Sequence, residues 1–354
     1  METDINVRKT EHIRLCLTDE VEGVNKTTGL EGISFIHNAL PEINFDEINI
    51  ETSFLSKRIK APFLVSSMTG GSELASKINI NLAKASEEKG WAIGLGSTRA
   101  LLESTAHEES FLIREYAKSV PLIANLGAVQ FNYGYGVEEC QKIVDRTEAD
   151  SLVLHLNSLQ EVIQDGGDVN FENLLPKIEE VCKKLSVPVG VKEVGFGIDG
   201  TVAKKLYDVG ISYIDVAGAG GTSWSQVEKL RTKDPLRKKA AEAFNNWGIP
   251  TKECIVSVRS KLPEVPIVAS GGMKTGVDAA KAITIGANVV GFARTLLKAA
   301  TESVESVIEV MDQIEFELKM TMFGIGVKNI EELRNTNRVS IQGRSLLDEN
   351  ITGK

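Results

Sequence analysis

From residue 61 onward the chain alternates short apolar runs with longer amphipathic stretches. The runs PFLVSSM (62–68), WAIGLGS (91–97), PLIANLG (121–127) and SLVLHLN (151–157) are nearly continuous in Val, Ile, Leu and Ala. PVGVKEV (188–194), YIDVAG (213–218), PIVASGG (266–272) and VVGFAR (289–294) continue the series. Such runs predict parallel strands buried on both faces rather than half-exposed antiparallel ones. Between them the apolar positions recur at helical period, as Leu74, Ile78 and Leu82 do within 72–88. Similar patterns occupy 137–147, 171–185, 200–209, 275–285 and 294–319. Eight strand–helix units in a row predict an α/β fold, a closed (β/α)8 TIM barrel over residues 61–320. A doubly wound sheet is the alternative, but MTGGS after the first run lacks the G-x-G-x-x-G spacing of a dinucleotide fingerprint.

Three segments fall outside the alternation. Residues 1–60 form a polar N-terminal extension, and 321–354 read as a short closing helix near 328–335 followed by a polar tail. Residues 218–250 are a long connection after the sixth strand, and loops of that size in a compact domain are usually functional.

Composition narrows the partners. A chain of 354 residues with 42% hydrophobic side chains suits one barrel with additions and a large core. A net charge of -9 argues against nucleic acid or an anionic membrane as partner. It leaves a phosphorylated small molecule open, because a few local cations and backbone N–H groups can bind phosphate. No apolar run approaches ~18 residues and METDINVRKTEH lacks a signal-peptide core, so a cytoplasmic protein without a membrane span is expected. Cys16, Cys140, Cys182 and Cys254 form no CxxC pair, which fits a reducing compartment. Cys182 and Cys254 lie in helix-like stretches and read as small buried hydrophobes.

In barrels of this kind functional groups gather at the C-terminal ends of the strands. Those ends carry Ser67, Met68 and Thr69; Ser97 and Arg99; Asn125; His155 and Asn157; Lys192 and Glu193; Thr222; Gly271, Gly272 and Met273; and Ala293 with Arg294. The last two loops, each glycine- or alanine-led and opening a helix, predict a phosphate cradle of backbone N–H groups aided by a helix dipole. Read alone, Gly271 and Gly272 could be tight turns, which explains one loop but not the pair.

Lys192 lies inside an apolar run, where a lysine needs an anion to offset its burial. It could snorkel outward, stand beside the N1/O2 edge of a flavin, or act as a Schiff-base nucleophile. In HLNSLQE (155–161), alternation sends His155 and Asn157 to one face, with Gln160 and Glu161 on the loop beyond. Those oxygen donors suit Mg²⁺, although a lone Glu on a loop is more often solvated. Arg8 and Lys9, with Glu11 and His12, read on composition as a solvated arm. Trp224 and Trp247 are packing anchors or a lid over an apolar ligand.

Ten fragments in order carry a resemblance over nearly the whole chain. They are RKTEH at 8–12, MTGG at 68–71, GLGSTRALLE at 94–103, NLGA at 125–128 and HLNSLQE at 155–161. VKEVGFGI at 191–198, DVAGAGGTSW at 215–224, WGIPT at 247–251, SGGMKTG at 270–276 and GFAR at 291–294 complete the set. Together they resemble the type 2, flavin-dependent isopentenyl diphosphate isomerases. HLNSLQE departs from that family's HLNPLQE form at Ser158, leaving the polar positions intact.

The resemblance implies a 1,3-allylic proton shift from isopentenyl to dimethylallyl diphosphate, with reduced FMN, Mg²⁺ and NAD(P)H as reductant. It places FMN on Ser67, Met68, Thr69, Ser97, Asn125, Lys192 and Thr222. The FMN phosphate falls on Gly271, Gly272, Met273, Ala293 and Arg294. Arg8, Lys9, Arg99, His155, Asn157 and Gln160 would bind the diphosphate substrate, and Glu161 the metal. Gln160, Glu161, His155 and Lys192 would serve catalysis, and the N-terminal arm would close the mouth. A homo-oligomer, a tetramer or larger, is also implied.

Three rivals remain at this stage. An FMN barrel performing hydride transfer on a small acid would want a His and Arg pair near SGGMKTG, where no histidine stands. A flavin-free aldolase or synthase would use Lys192 as Schiff base. A non-catalytic binding barrel leaves the polar strand ends unexplained.

Overall fold

The computed structural model describes residues 4–23, 25–104, 108–341 and 344–345. The N-terminal extension contributes α1 (Asp4–Cys16), β1 (Ile33–Phe35) and a hairpin of β2 (Thr52–Phe54) and β3 (Lys57–Ile59). The next eight strands are β4 (Phe63–Val65), β5 (Ala92–Gly94), β6 (Leu122–Gly127), β7 (Ser151–His155), β8 (Val189–Lys192), β9 (Tyr213–Asp215), β10 (Ile267–Ala269) and β11 (Val289–Phe292). They run parallel, and β11 pairs back with β4 to close the barrel. The (β/α)8 expectation is borne out.

The surrounding helices are α2 (Glu73–Lys89), α3 (Arg99–Glu103), α4 (Val137–Thr147), α5 (Ser158–Ile163), α6 (Leu174–Lys184) and α7 (Gly200–Asp208). They continue with α8 (Trp224–Arg231), α9 (Pro235–Ala241), α10 (Thr251–Lys261), α11 (Gly276–Thr284) and α12 (Arg294–Glu302). The chain then forms α13 (Val304–Ile325), α14 (Ile330–Arg334), β12 (Val339–Ile341) and β13 (Arg344–Ser345). The start of α2 shows the local logic: the Ser72 hydroxyl accepts from the Ala75 N–H, Ile78 and Leu82 are buried, and Gly90 at φ 67 ends the helix.

The segment 294–319, read as one helix, is two. Ser303 breaks it and caps α13, its hydroxyl accepting from the Ser306 N–H at 3.2 Å. The boundary expected at 320 therefore falls inside α13, and the tail is no separate unit: β12 pairs antiparallel with β1 of the extension. The 218–250 connection holds α8, whose first residue Trp224 lines the mouth, and α9. Among the described residues, no helix is long and apolar enough to cross a membrane.

Strand alternation sorts the barrel interior into layers. A lower layer of Leu64, Ala92, Ile123, Val153, Tyr213, Val268 and Val289 packs with Phe54 and Ile59 of the β2–β3 hairpin, which plugs the barrel's N-terminal end. Gly190 on β8 makes room here, since a Cβ on it would lie 2.1 Å from the Tyr213 ring. Two residues further along each strand, the same inward face carries Ser66, Gly94, Asn125, His155, Lys192, Asp215, Ser270 and Gly291. The interior thus changes from apolar to polar or glycine within one step, and that second layer is the floor of the mouth.

Candidate active site

A cavity of about 650 Å³ opens above this floor. Every residue singled out from the sequence for substrate, cofactor or metal lines it, from Arg8 and Lys9 on α1 round to Ala293 and Arg294.

On the floor, Asn125 Nδ2 donates to the Leu95 carbonyl (3.2 Å) and its Oδ1 faces His155 Nδ1 at 2.9 Å. Burial holds His155 well below the usual imidazole range, and the charges of Lys192 and Lys9 add to the effect. Lys192 Nζ donates to the Glu193 carbonyl (3.1 Å), and its register partner on β9 is Asp215. Asp215 accepts from the Ser270 hydroxyl at 2.5 Å. Burial lowers the lysine's pKa and raises the aspartate's, each opposed by the charge of the other. Lys192 is therefore turned inward and does not snorkel.

One side of the mouth is backbone. Gly271 (φ 101) and Gly272 (φ 73) adopt left-handed conformations that side chains resist. A Cβ on Gly271 would lie 2.0 Å from the Gly218 carbonyl oxygen, and one on Gly272 would lie 2.3 Å from that of Gly220. Facing them, a Cβ on Gly221 would lie 2.6 Å from the Gly272 nitrogen. With the N-terminus of α12 beside it, this concavity has the features of an anion cradle.

The Arg294 side chain is taken up by the end of the N-terminal arm. Its Nε donates to the Cys16 carbonyl (3.0 Å) and its Nη2 to that of Thr18 (3.0 Å), while Nη1 pairs with Glu22. Carbonyl groups at a helix C-terminus attract cations, so the guanidinium holds the end of α1 over the mouth.

The opposite side is charged. In the barrel order β10-β11-β4-β5-β6-β7-β8-β9, the strands preceding Arg99 and Glu161 flank β6, four places from β10. Arg99 pairs with Glu103 (2.6 Å) and Asp168 (2.8 Å). Glu161 Oε1 accepts from Asn157 Nδ2 (2.8 Å), and Oε2 from the Asp168 N–H (2.8 Å) and Gln164 Nε2 (3.2 Å). Burial raises the Glu161 pKa against those donors. From above, α1 adds Arg8 and Lys9; burial, then the neighbouring Arg8 and Arg99, pushes the Lys9 ammonium down to about 8.

The supposed solvated arm is therefore part of the wall. His12 Nε2 bonds Glu228 Oε1 at 3.0 Å, and its ring meets Trp224 edge-on at 5.1 Å between centroids. Trp224 lines the cavity; Trp247 is 59% exposed, packs on Phe244 and takes no part. Cys254 is buried as expected, while Cys182 is only half-buried.

Comparison with known proteins now places the chain. An FMN-dependent dehydrogenase family model matches residues 138–340. Isopentenyl-diphosphate delta-isomerase from Oceanobacillus iheyensis is 76% identical over 349 residues, covering 99% of this chain and all of that protein. The chain belongs to the isopentenyl-diphosphate delta-isomerase family. The Nostoc member is 46% identical over 93% of this chain and 94% of its own length. The barrel also matches flavoenzymes of other chemistry. A flavocytochrome b2 mutant aligns with a TM-score of 0.69 at 18% identity, over 96% of this chain and 85% of its own. A mandelate oxidase mutant with an FMN adduct aligns at 0.63 and 17%, over 92% and 93%. These structures share the fold. The combination of the isomerase relatives with the FMN-dependent family model marks the flavin-dependent, type 2 class.

The isomerase-family residues fit a flavin nucleotide. Ser66 Oγ and Thr69 Oγ1 are buried at the cavity without a protein partner, and the glycine cradle matches a phosphate end. A metal finds a single well-held carboxylate, Glu161, rather than a cage, and no group of three His, Cys, Asp or Glu occurs among the described residues. That set suits Mg²⁺ shared with substrate phosphates.

Sequence reasoning missed Asp168, Asp215, Glu228, the site role of His12, and Gln130, which lines the cavity and donates to Asp168 at 2.9 Å. His12 follows Arg8 by one helical turn and was readable; Glu228 with Arg231 looks like a surface pair.

Proposed function

We propose that the protein converts isopentenyl diphosphate to dimethylallyl diphosphate, using reduced FMN and Mg²⁺ with NAD(P)H as reductant. The observation that carries this reading is the pair of anion sites on opposite sides of one mouth. The glycine cradle beside β10 suits the FMN phosphate, and Arg8, Lys9 and Arg99 with Glu161 suit a diphosphate and its metal. The isomerase name of the relative 76% identical to this chain agrees with it.

Bound reduced FMN would supply an electron-rich ring with a protonated N5 able to exchange a proton with an alkene. The chain's own residues do the rest. Lys192 would stabilise negative charge on the reduced ring, and Asp215 helps to keep the lysine charged. Arg8, Lys9 and Arg99 would neutralise the diphosphate, and Glu161 would hold Mg²⁺. Gln160, tied to Glu228 at 3.1 Å, orients the reacting end. Trp224 and His12 exclude water from a developing carbocation. Hydride transfer on a small acid is the second reading; His12 and His155, the cavity's histidines, sit on α1 and β7 rather than after β10.

The test is the visible spectrum of the purified protein, then dithionite reduction and addition of isopentenyl diphosphate with Mg²⁺. A flavin spectrum with dimethylallyl diphosphate formed only after reduction supports the proposal. Flavin without isomerisation favours hydride transfer, and a protein colourless after incubation with FMN rejects both.

A further inference from the structure

We infer that Asn125 is a positioning residue that fixes His155 with its proton on Nδ1 and its Nε2 lone pair facing the cavity, so that His155 takes up a proton when a diphosphate binds against it. The second half rests on the proposed function; the first does not.

The tautomer follows from donors and acceptors alone. Asn125 lies on β6, buried at 3% exposure. One end of its amide is 3.2 Å from the Leu95 carbonyl oxygen, which can only accept, so that end is the NH₂ group. The other end, 2.9 Å from His155 Nδ1, is then the amide oxygen, which also only accepts. Nδ1 must carry the proton. A neutral imidazole has a single N–H, which leaves Nε2 bare. The flank of Nε2 is clear because Gly127, the register partner of His155, has no side chain: a Cβ there would lie 3.0 Å from Nε2.

The ring is neutral in the free protein. It is half-buried at the cavity floor, β8 presents Lys192 to it and α1 presents Lys9, and both cations oppose a further positive charge. From β6 it faces the uncharged Asn125 and Gly127. A deprotonated diphosphate oxygen brought to Nε2 would set one lone pair against another. The contact becomes attractive when a solvent proton binds between them, giving Nδ1–H to Asn125 and Nε2–H to the phosphate. The incoming negative charge favours that uptake, reversing the sign of the field that Lys9 and Lys192 impose. His155 thus adds a cation only when an anion is present. It spares the empty site a further positive charge beside Arg8, Lys9, Arg99 and Lys192.

Two measurements decide it. Solid-state ¹⁵N spectra of flavin-loaded protein labelled only at histidine, with His155→Gln for assignment, report the ring nitrogens directly. A neutral His155 protonated at Nδ1 is expected, with Asn125→Ala shifting it toward the Nε2–H tautomer; Nε2–H in the unsubstituted protein overturns the inference. Calorimetry of isopentenyl diphosphate binding to the oxidised holoenzyme with Mg²⁺, in buffers of different ionisation enthalpy at about pH 8, counts protons. Uptake greater by nearly one proton than in His155→Gln, which retains whatever Lys9 takes up at this pH, is expected. Equal counts in the two proteins overturn the uptake step. If the tautomer is as expected but no diphosphate binds, the uptake step falls together with the isomerase reading, while the assignment of Asn125 stands.

Discussion

Gln160 Nε2 donates to Glu228 Oε1 across 3.1 Å, joining the helix after β7 to the helix after β9. The same carboxylate takes His12 Nε2 at 3.0 Å and Arg231 Nη1 at 2.6 Å, so three elements meet on one side chain that is 1% exposed. Burial alone would raise its pKa, but the His12 bond and the Arg231 charge outweigh it, and the group stays below the usual carboxylate range.

Glu228→Gln keeps the shape but puts an NH₂ group where a donor already points. Gln160 and the arm should both lose their register. Turnover is expected to fall about a hundredfold, the scale of an ångström-sized misplacement at a reacting centre. Flavin content should be unchanged, since the groups Glu228 bonds, His12, Gln160 and Arg231, are not part of the cradle. Steady-state kinetics beside flavin absorbance checks this, and parallel loss of both would assign Glu228 to the fold instead.

Gly271→Ala attacks the cradle through the backbone. The new methyl would stand 2.0 Å from the Gly218 carbonyl oxygen at a φ of 101. Left-handed strain costs about 1–3 kcal/mol, and the displaced loop should open the phosphate site. The expected result is protein purified with little flavin, weak rebinding of FMN by fluorescence titration, and a smaller loss for riboflavin, which has no phosphate to seat. Full flavin content would move the phosphate away from this loop.

How much of this was legible in the sequence depends on whether a residue's role is set along its strand or across the fold. The floor was readable in principle, because strand alternation alone places Asn125, His155, Lys192 and Asp215 two positions above Ile123, Val153, Gly190 and Tyr213. The paired glycine loops were readable for the same local reason. Asp168 was not: its carboxylate meets Arg99, 69 residues away, through a loop whose sequence shows only a turn. The side-chain partners of Arg294 were not legible either: its guanidinium is claimed by α1, a partner 278 residues distant.

Lys9 links pH to both binding and stability. Its ammonium is held at about 8 against 10.5 unfolded, so the folded protein sheds this proton first as pH rises. The charged form is a penalty on folding at neutral pH, and the penalty fades between pH 8 and 10.5. Lys9→Met should therefore raise Tm at neutral pH while weakening substrate binding. In the unsubstituted enzyme kcat/KM should decline above pH 8, and Lys9→Arg should move that limb upward. An alkaline limb insensitive to both substitutions would remove Lys9 from the diphosphate site.

Gly167→Ala tests the proposed metal site without replacing its carboxylate. The loop of residues 164–168 folds back over Glu161, with Gly166 at φ 67 and Gly167 pressed against the glutamate. A Cβ on Gly167 would lie 2.0 Å from the Glu161 carbonyl oxygen and 2.9 Å from Oε2. The loop must retreat, taking with it the Asp168 N–H and Gln164 amide that hold Oε2. Asn157 still holds Oε1, so the carboxylate stays in the cavity but gains freedom to swing. Disturbing the partners of a ligating carboxylate typically costs ten- to a hundredfold in metal affinity, about 1.4–2.7 kcal/mol. The Mg²⁺ concentration for half-maximal turnover should rise by about that factor, with flavin content intact because the cradle lies across the mouth. Recovery of turnover at high Mg²⁺ would separate a loosened metal site from a broken one. An unchanged Mg²⁺ dependence would show that the ion is held by the substrate alone, and that Glu161 acts on something else.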